Sequence, residues 1–335
     1  MESRSLGELI HKALSQATPL SLHLLLTERC DLDCLHCYLP EERRDGRMAL
    51  GDYKALLEEA RSAGTLFVTL SGGEPTLRPD FFQIAEEVRR QSLALKVMTN
   101  GYGLAGELAA RLASLKPAKV SVSLYGATAA VHDAITRRAG SFARTLEGIG
   151  QLAGSGVGVV IKTPLMRLNV RELRELDALG RRLGAELQVS PYLFWPQGRP
   201  ERLAAIACNE AELAEALASG AAIGGCRRER MCGAGSSFAA VDPDGKVLAC
   251  HLFPAIAGDL FESSFRQIWD SSALLRRLRS ARYDELPACA KCELREHCLR
   301  CAGQVYARTG RLTGEDPEAC RIARQMMCQV QNERH

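Results

Sequence analysis

Cysteine is the residue type that most constrains this chain. The 335 residues include 13 cysteines, and an odd number of thiols cannot all pair in disulfides. The segment Met1–Pro19 carries charged and polar residues throughout and lacks the apolar core of a secretory signal. We therefore expect a cytoplasmic protein, in a compartment that keeps thiols reduced. Thiols at this density predict metal binding.

The cysteines lie in two regions of the chain. Cys30, Cys34 and Cys37 are the only cysteines in the first two hundred residues, and the other ten lie between Cys208 and Cys328. This distribution predicts two separate metal-binding regions.

The composition is that of a folded protein with a large core. Hydrophobic residues make up 46% of the chain and charged residues 25%, which excludes a disordered or fibrous protein. The formal net charge of +3 is too small to indicate a nucleic-acid partner. The longest apolar runs, such as Leu22–Leu26, are far shorter than the ~20 residues of a membrane helix. We expect neither nucleic acid nor membrane as a partner.

Between Ser21 and Ser190, short β-forming runs alternate with segments whose apolar residues recur at helical spacing. This pattern is typical of βα units on a parallel sheet. Six such units are fewer than the eight of a closed barrel. The fold class is therefore α/β, either a partial (β/α)6 TIM-like barrel or an open doubly wound sheet, and periodicity alone does not separate them. The predicted strands are Leu22–Leu26, Leu66–Leu70, Leu93–Met98, Val120–Leu124, Val157–Thr163 and Leu187–Ser190.

The alternation stops after residue 195, and a turn-rich segment dense in cysteine follows. We expect a small cluster-binding C-terminal domain that draws part of its folding free energy from bound metal. The predicted units are an N-terminal arm (1–19), the partial barrel (20–195), a helical linker (196–225), the cysteine-rich domain (226–328) and a tail (329–335).

The first three cysteines follow directly on the first predicted strand, with spacing Cys-x3-Cys-x2-Cys. A cube of four irons and four sulfides normally takes four cysteines, so three ligands leave one iron open to a substrate or cofactor. The alternative is a zinc site made by the three cysteines and His36. One βα unit later, the segment Gly72, Gly73, Glu74 and Pro75 combines a backbone that a ligand can approach with a carboxylate that can accept an ammonium group.

Together these two motifs resemble the radical S-adenosylmethionine (SAM) enzymes, whose pattern is Cys-x3-Cys-x2-Cys followed by Gly-Gly-Glu-Pro. The resemblance covers roughly residues 20–195 and implies the partial barrel. It implies that Cys30, Cys34 and Cys37 bind a 4Fe-4S cluster, that the open iron chelates S-adenosylmethionine, and that Gly72 to Glu74 hold its amino group. Further positions that the resemblance implies near the cofactor are Asn100, Ser123, Lys162 and His36, the last against adenine. Many relatives have Asp where this chain has Tyr125.

The later cysteines resemble the SPASM domain, an extension that carries auxiliary iron–sulfur clusters. The resemblance implies two interleaved ligand sets and hence three 4Fe-4S clusters in all, whereas zinc sites are the alternative for the Cys-x2-Cys pairs. The implied sets are Cys226, Cys232, Cys250 and Cys301 for one cluster, and Cys289, Cys292, Cys298 and Cys320 for the other.

The resemblance implies an enzyme that cleaves S-adenosylmethionine and takes a hydrogen atom from a ribosomally made precursor peptide. Its expected partners are that peptide and a flavodoxin or ferredoxin reductant. Because only about twenty residues precede the first strand, we expect leader recognition by a separate protein or by the barrel. His251, next to Cys250, is the candidate catalytic acid or base. Two alternatives stay open: modification of a tetrapyrrole or other small molecule, and a zinc-dependent interaction module.

Overall fold

The computed structural model describes residues 6–194, 200–219 and 232–332. In this part of the chain, one nine-stranded sheet runs through the molecule in the order β6-β5-β4-β3-β2-β1-β7-β8-β9. The strands are β1 (Ser21–Leu25), β2 (Phe67–Ser71), β3 (Ala94–Thr99), β4 (Lys119–Ser123), β5 (Val159–Pro164), β6 (Glu186–Ser190), β7 (Phe238–Val241), β8 (Lys246–Leu248) and β9 (Ile256–Asp259).

Helices connect the strands of the barrel, and most of these helices pack on the apolar core beside the sheet. The helices of the described chain are α1 (Leu6–Gln16), α2 (Leu50–Ser62), α3 (Phe81–Arg90), α4 (Glu107–Ser114), α5 (Ala129–Thr136), α6 (Ser141–Gly154), α7 (Leu173–Arg182), α8 (Pro200–Ile206), α9 (Glu210–Ala218), α10 (Phe265–Ser271), α11 (Ala273–Ser280), α12 (Pro287–Ala290), α13 (Ala302–Thr309) and α14 (Pro317–Asn332). Short 3-10 turns lie at Pro75–Leu77, Val170–Glu172, Tyr283–Glu285 and Glu293–His297. No helix in the described ranges has the length and apolar character needed to cross a membrane.

Strands β1 to β6 pair in parallel, each with the next along the chain. A doubly wound sheet reverses its strand order at a switch point, whereas this order runs through six strands without reversal. The prediction of a partial (β/α)6 barrel is therefore confirmed, and the six predicted strands are all present with ends shifted by at most two residues. The doubly wound alternative is wrong.

Alternating side chains divide the barrel sheet into two faces. On β3, for example, Leu95 and Val97 are buried in the apolar core under the helices, and Lys96 between them is only partly buried on the opposite face. That opposite face lines the inside of the barrel, where the polar residues of the strands collect.

The C-terminal cysteine-rich region extends the barrel sheet. Strand β7 pairs in parallel with β1, from Ser21 opposite Phe238 to Leu24 opposite Val241, and β8 and β9 follow antiparallel. Trp269 on α10 is buried in the same apolar core, and its indole N–H donates to the Ala17 carbonyl at 2.6 Å. This region thus buries more apolar surface than its sequence periodicity predicts.

Asp259, at the end of β9, ties the C-terminal strands to the loop before α2. Its buried carboxylate accepts hydrogen bonds from Lys246 and from Arg47, the latter at 2.6 Å. The hydrogen bond from Lys246, with smaller contributions from the Phe261 N–H and Arg47, lowers the pKa of Asp259 from 3.8 to about 2. The ionised carboxylate therefore stabilises the fold above pH 3.8, and this stabilisation is lost as the pH falls towards 2.

We expect Asp259→Asn to lower the free energy of unfolding at pH 7 by about 1 kcal/mol, because both cationic partners are partly exposed. Urea unfolding at pH 7 and at pH 3 measures the difference, which should shrink at the lower pH. Asp270→Asn, which removes an exposed partner of Arg266, is the control and should change stability by less than about 0.5 kcal/mol. A pH-independent loss in Asp259→Asn would contradict this assignment.

Candidate active site

The first three cysteines lie on one loop that follows β1. Their thiols are partly exposed and unpaired, and the Leu35 N–H donates to the Ile135 carbonyl at 2.9 Å, which fastens the loop to α5. Burial raises the pKa of Cys30 to about 12 and raises the pKa of Cys34 as well. Thiols in such a site need a bound cation to become thiolates.

Gly72 and Gly73 pack directly against the start of this loop. The Gly73 N–H donates to the Thr27 carbonyl at 2.8 Å. A Cβ atom on Gly72 would lie 2.2 Å from the Thr27 carbonyl oxygen, and one on Gly73 would lie 2.1 Å from that of Arg29. The two glycines therefore allow the end of β2 and the thiol loop to approach each other, which is a use of glycine that the sequence motif did not predict.

Glu74 is fully buried. Its carboxylate accepts hydrogen bonds from the Thr76 hydroxyl at 2.6 Å, from the Thr99 hydroxyl at 2.8 Å and from the Asn100 N–H at 2.7 Å. Burial raises the pKa of this carboxyl, and the three donors oppose that effect. Glu74, followed by the buried Pro75, fixes the ends of β2 and β3 relative to each other.

Asn100 connects this carboxylate to the thiol loop. Its amide nitrogen lies 3.6 Å from the Cys30 sulfur and 2.6 Å from an Asp31 carboxylate oxygen. The structure thus brings together Cys30, Glu74 and Asn100, as the sequence predicted for their positions at neighbouring strand ends.

Tyr125 lies on the other side of the loop, beside Cys34. The Tyr125 and Cys34 side chains share a hydrogen bond, and Ser123 at the end of β4 is also hydrogen-bonded to the Tyr125 hydroxyl. The ring of His36 meets the Tyr125 ring edge-on, with centroids 4.6 Å apart. Burial lowers the pKa of His36 to about 4, so this imidazole is neutral near pH 7.

Arg43 supplies a positive charge at the third thiol. Its guanidinium donates to the Cys37 sulfur at 3.3 Å and to the Glu28 carbonyl at 3.4 Å. Next to it, a cavity of about 410 Å³ is lined by Arg29, Cys30, Arg43 and Leu77. Each of the three thiols thus has a side-chain donor of its own, and one of the three cysteines, Cys30, lines the cavity.

His251 and Lys162 are not among the residues that line this cavity. The His251 ring lies 6.2 Å, centroid to centroid, from the ring of Tyr38, the residue after Cys37. The His251 ring stacks on the ring of His23 from β1, with centroids 4.3 Å apart and planes 27° apart. Burial lowers the pKa of His251 to about 4, and the charge of Lys162 adds to that effect. Lys162 is therefore an electrostatic neighbour of His251.

The C-terminal thiols fall into two groups. The negative charges of Cys232 and Cys301 add to burial in raising the pKa of Cys250 to about 12, and backbone N–H groups donate to the Cys232 sulfur at 3.4 Å and the Cys250 sulfur at 3.2 Å. Cys226 of the same predicted set lies outside the described residues.

The second group interacts within itself in the same way. Burial raises the pKa of Cys289, and the charges of Cys320 and Cys292 add to this effect. The pKa of Cys298 is raised by burial and by Cys289 and Cys292. That of Cys320 is raised by burial and by Cys298 and Cys292. Among the described residues, no three His, Cys, Asp or Glu side chains are placed to hold a single metal ion. Each described thiol thus interacts with members of its own predicted ligand set, and the ligand roles themselves stay a prediction.

Sequence reasoning missed Arg43, Tyr125 and His23 as parts of these sites. Arg43 lies in the loop after the thiol motif and belongs to neither motif, and His23 gains its neighbour only when the C-terminal region folds onto β1. Tyr125 occupies the position where many relatives have Asp, and that departure was the one available signal.

Comparison with known proteins agrees with this geometry. Residues 24–179 match the radical SAM superfamily, and residues 232–293 match an iron–sulfur cluster-binding domain named SPASM. The chain belongs to the radical SAM superfamily and is an enzyme of that class. Membership implies iron–sulfur clusters and S-adenosylmethionine as cofactors.

Three curated relatives span nearly the whole chain. Mycofactocin maturase MftC of Mycobacterium ulcerans is 31% identical over 90% of this chain and 87% of its own. The AdoMet-dependent heme synthase of Methanosarcina barkeri is 29% identical over 87% of this chain and 93% of its own. The PqqA peptide cyclase of Gluconobacter oxydans is 30% identical over 89% of this chain and 90% of its own.

A solved structure shares the fold. Streptococcus suis SuiB bound to its precursor peptide SuiA matches with a TM-score of 0.74 and 16% identity, over 93% of this chain and 79% of SuiB. The similarity extends through both the barrel and the cysteine-rich region.

Proposed function

We propose that this enzyme modifies a ribosomally made precursor peptide by radical chemistry. The observation that carries the proposal is the single loop with three thiols, each beside its own donor, packed on the Gly72–Glu74 segment and opening on a cavity. Three thiolates and an adjacent cavity fit a 4Fe-4S cluster with one iron open to S-adenosylmethionine.

When bound, the cluster and S-adenosylmethionine supply an electron and a 5′-deoxyadenosyl radical that takes a hydrogen atom from the substrate. We propose Cys30, Cys34 and Cys37 as the cluster ligands and the Gly72–Glu74 segment as the holder of the cofactor's amino group. Asn100 contacts Cys30 and Asp31, and Ser123 contacts Tyr125. We propose that both residues lie beside the bound cofactor. His36 packs against Tyr125, and we propose that its remaining face meets adenine.

We propose two auxiliary 4Fe-4S clusters in the C-terminal region, held by the two cysteine sets of the SPASM pattern. The mutual electrostatic effects within Cys232, Cys250 and Cys301, and within Cys289, Cys292, Cys298 and Cys320, support this division. Cys226 is the proposed fourth ligand of the first set. Together with the cluster at the thiol loop, the chain would carry about twelve irons.

Replacing Cys292 by Ala should remove about four irons per chain and leave S-adenosylmethionine cleavage without product formation. The reason is that the second auxiliary set loses one of four ligands while the thiol loop is untouched. Iron and sulfide analysis, with deoxyadenosine release in the same sample, checks this. Cys328→Ala removes an exposed thiol outside every motif and is the control. Unchanged iron in Cys292→Ala would contradict the ligand set.

Arg43→Met should lower the reduction potential of the cluster at the thiol loop. The guanidinium that donates to the Cys37 sulfur favours the more negative, reduced cluster. Loss of a charge-assisted hydrogen bond worth about 1.4 kcal/mol corresponds to about 60 mV for one electron. A redox titration followed by electron paramagnetic resonance measures the shift. Arg44→Met removes a neighbouring exposed arginine that pairs with Glu28, and an equal shift there would rule out the specific contact.

The peptide is the favoured substrate because two similar proteins are named for peptide substrates, PqqA peptide cyclase and SuiB with its bound precursor. The heme synthase at 29% identity favours a tetrapyrrole as the second candidate. We propose that a flavodoxin or ferredoxin donates the electron, that a separate protein presents the leader of the peptide, and that the reaction occurs in the cytoplasm, where the free thiols persist.

One anaerobic experiment tests the proposal. Reconstituted enzyme receives S-adenosylmethionine, dithionite and either a candidate precursor peptide encoded beside the gene or a porphyrin, and mass spectrometry detects the products. Deoxyadenosine release with a changed peptide mass supports the proposal, and a changed porphyrin supports the second candidate. Zinc in place of iron, without deoxyadenosine, would contradict both and favour an interaction module.

A further inference from the structure

The thiol loop has neither a helix nor a strand of its own. It spans residues 26–49, between the end of β1 and the start of α2. Ordered loops of this length without regular structure are uncommon and usually functional. The middle of the loop is fastened to α5, because the Asp33 N–H donates to the Thr136 carbonyl at 3.2 Å and the Leu35 N–H to the Ile135 carbonyl. Its two ends must be fixed as well if the three cysteines are to keep one arrangement.

Arg78 bonds both ends of the thiol loop. Its Nη1 atom donates to the Leu26 carbonyl at 2.9 Å, and its Nη2 atom donates to the Met48 carbonyl at 2.7 Å. Leu26 is the first residue of the loop, and Met48 lies one residue before its end. Arg78 itself follows the 3-10 turn Pro75–Leu77, which begins at the last residue of the Gly-Gly-Glu-Pro motif. One guanidinium thus spans the base of the loop.

The Arg78 side chain is itself held in one position. Its Nε and Nη2 atoms donate to the two carboxylate oxygens of Asp80, at 2.6 and 3.2 Å, which is a bidentate pair. The guanidinium carbon lies 4.9 Å from the centroid of the buried Tyr53 ring on α2, and only 10% of the Arg78 side chain is exposed. Asp80 balances the charge of Arg78, so this arginine is not placed to bind an anion of the cofactor or substrate.

Other contacts also join the two ends of the loop, but they reach into solvent. The Thr27 hydroxyl donates to the Asp45 carboxylate at 2.9 Å, and the Arg29 guanidinium pairs with the same carboxylate at 2.7 Å. About half of the Asp45 side chain is exposed, so water competes for it. Arg78 differs because it is nearly buried and because it directly follows the motif segment. It therefore couples the position of the thiol loop to that segment.

We propose that Arg78 is a positioning residue for the cleavage of S-adenosylmethionine. By bonding the Leu26 and Met48 carbonyls, it holds the thiol loop closed against the Gly72–Glu74 segment. The loop and that segment would bind two parts of one unit, the cluster and its cofactor, so their relative position decides whether both can bind. The assignment rests on the proposed role of the three cysteines as cluster ligands. It adds to that function a residue outside both sequence motifs.

Hydrogen exchange measures the opening of the loop directly. The reconstituted enzyme is exchanged and digested, and peptides from residues 26–49 are followed by mass spectrometry. In Arg78→Met these peptides should exchange at least about tenfold faster, the equivalent of one hydrogen bond to a charged group, while peptides from β4 and β5 stay unchanged. S-adenosylmethionine should bind at least about tenfold more weakly, and it should alter a smaller fraction of the electron paramagnetic resonance signal of the reduced enzyme.

Two further variants separate positioning from general stability. Arg78→Lys keeps the charge opposite Asp80 but lacks the planar fork that reaches both carbonyls, so it should open the loop almost as much, and it carries the test if Arg78→Met does not fold. Arg279→Met is the matched control, because Arg279 also donates to two carbonyls, those of Gly235 and Trp269, and lies over the Trp269 ring. It should lower the urea midpoint and leave loop exchange and cofactor affinity unchanged.

Loop exchange in Arg78→Lys equal to that of the unaltered enzyme would overturn the proposal, because the charge opposite Asp80 would then suffice. Full cofactor affinity in a variant whose loop has opened would also overturn it. Equal opening of the loop in Arg279→Met would reduce the effect to a general loss of stability, with the same consequence. Deoxyadenosine release by the unaltered enzyme reports separately on the proposed function, since loop exchange does not depend on turnover.

Discussion

Replacing Cys34 by Ala should abolish reductive cleavage of S-adenosylmethionine. Cys34 is the middle cysteine of the thiol loop, shares a hydrogen bond with Tyr125, and packs against the small apolar cluster around Ile135 and Met166. Two remaining thiols cannot hold a cube and leave one iron open. We expect deoxyadenosine release to fall on the order of a thousandfold or more, because even residues that only orient metal ligands cost ten- to a hundredfold.

The measurement is the rate of deoxyadenosine release with dithionite, together with iron per chain. Cys208→Ala is the matched control: Cys208 is a buried thiol that belongs neither to the thiol loop nor to the two predicted auxiliary ligand sets, so its variant should keep the rate while losing some stability. Retained cleavage in Cys34→Ala would refute the assignment of the thiol loop to the radical cluster.

The second large effect is expected for Glu74→Gln. The buried carboxylate accepts from Thr76, Thr99 and Asn100, and the glutamine amide would turn an N–H2 group towards these donors. A buried donor left without an acceptor costs about 1–3 kcal/mol. The Gly72–Glu74 segment and Asn100 would then lose their common anchor, and S-adenosylmethionine should bind about a hundredfold more weakly, equivalent to about 2.7 kcal/mol.

Equilibrium binding of S-adenosylmethionine and urea unfolding measure these two losses separately. Glu86→Gln on α3 is the control, because Glu86 is half-exposed and pairs with Arg111, so both quantities should stay close to those of the unaltered enzyme. A stability loss without weaker binding would limit Glu74 to holding β2 and β3 together.

Much of the barrel was predictable because each of its strands and motifs is encoded by a short segment of the sequence. Strands such as Val120–Leu124 carry β-branched residues in short runs, and the thiol motif and Gly-Gly-Glu-Pro follow two neighbouring strands, so the parallel arrangement brings them to one edge. The predicted grouping of the candidate site followed from that topology.

The missed features depend on contacts between distant parts of the chain. Helix α5 was not predicted, although it fastens the thiol loop. The hairpin of β7 and β8 was also missed, despite the turn signal Pro243-Asp244-Gly245, in which Gly245 has φ of 78° and its N–H donates to the Asp242 carbonyl. The stack of His23 on His251 exists only because β7 pairs with β1, which no local pattern encodes.

The pairing of β7 with β1 also bears on synthesis at the ribosome. Strand β1 is among the first elements to emerge, yet the strand that covers its outer edge comes from Phe238–Val241, after the other barrel strands. Until then β1 presents unpaired backbone N–H and C=O groups next to the thiol loop. Such an edge is a template for association with other chains. Nascent chains released before residue 241 should therefore be far more prone to aggregation than the full chain. Chaperones should bind the nascent chain mainly between the synthesis of β1 and the synthesis of β7.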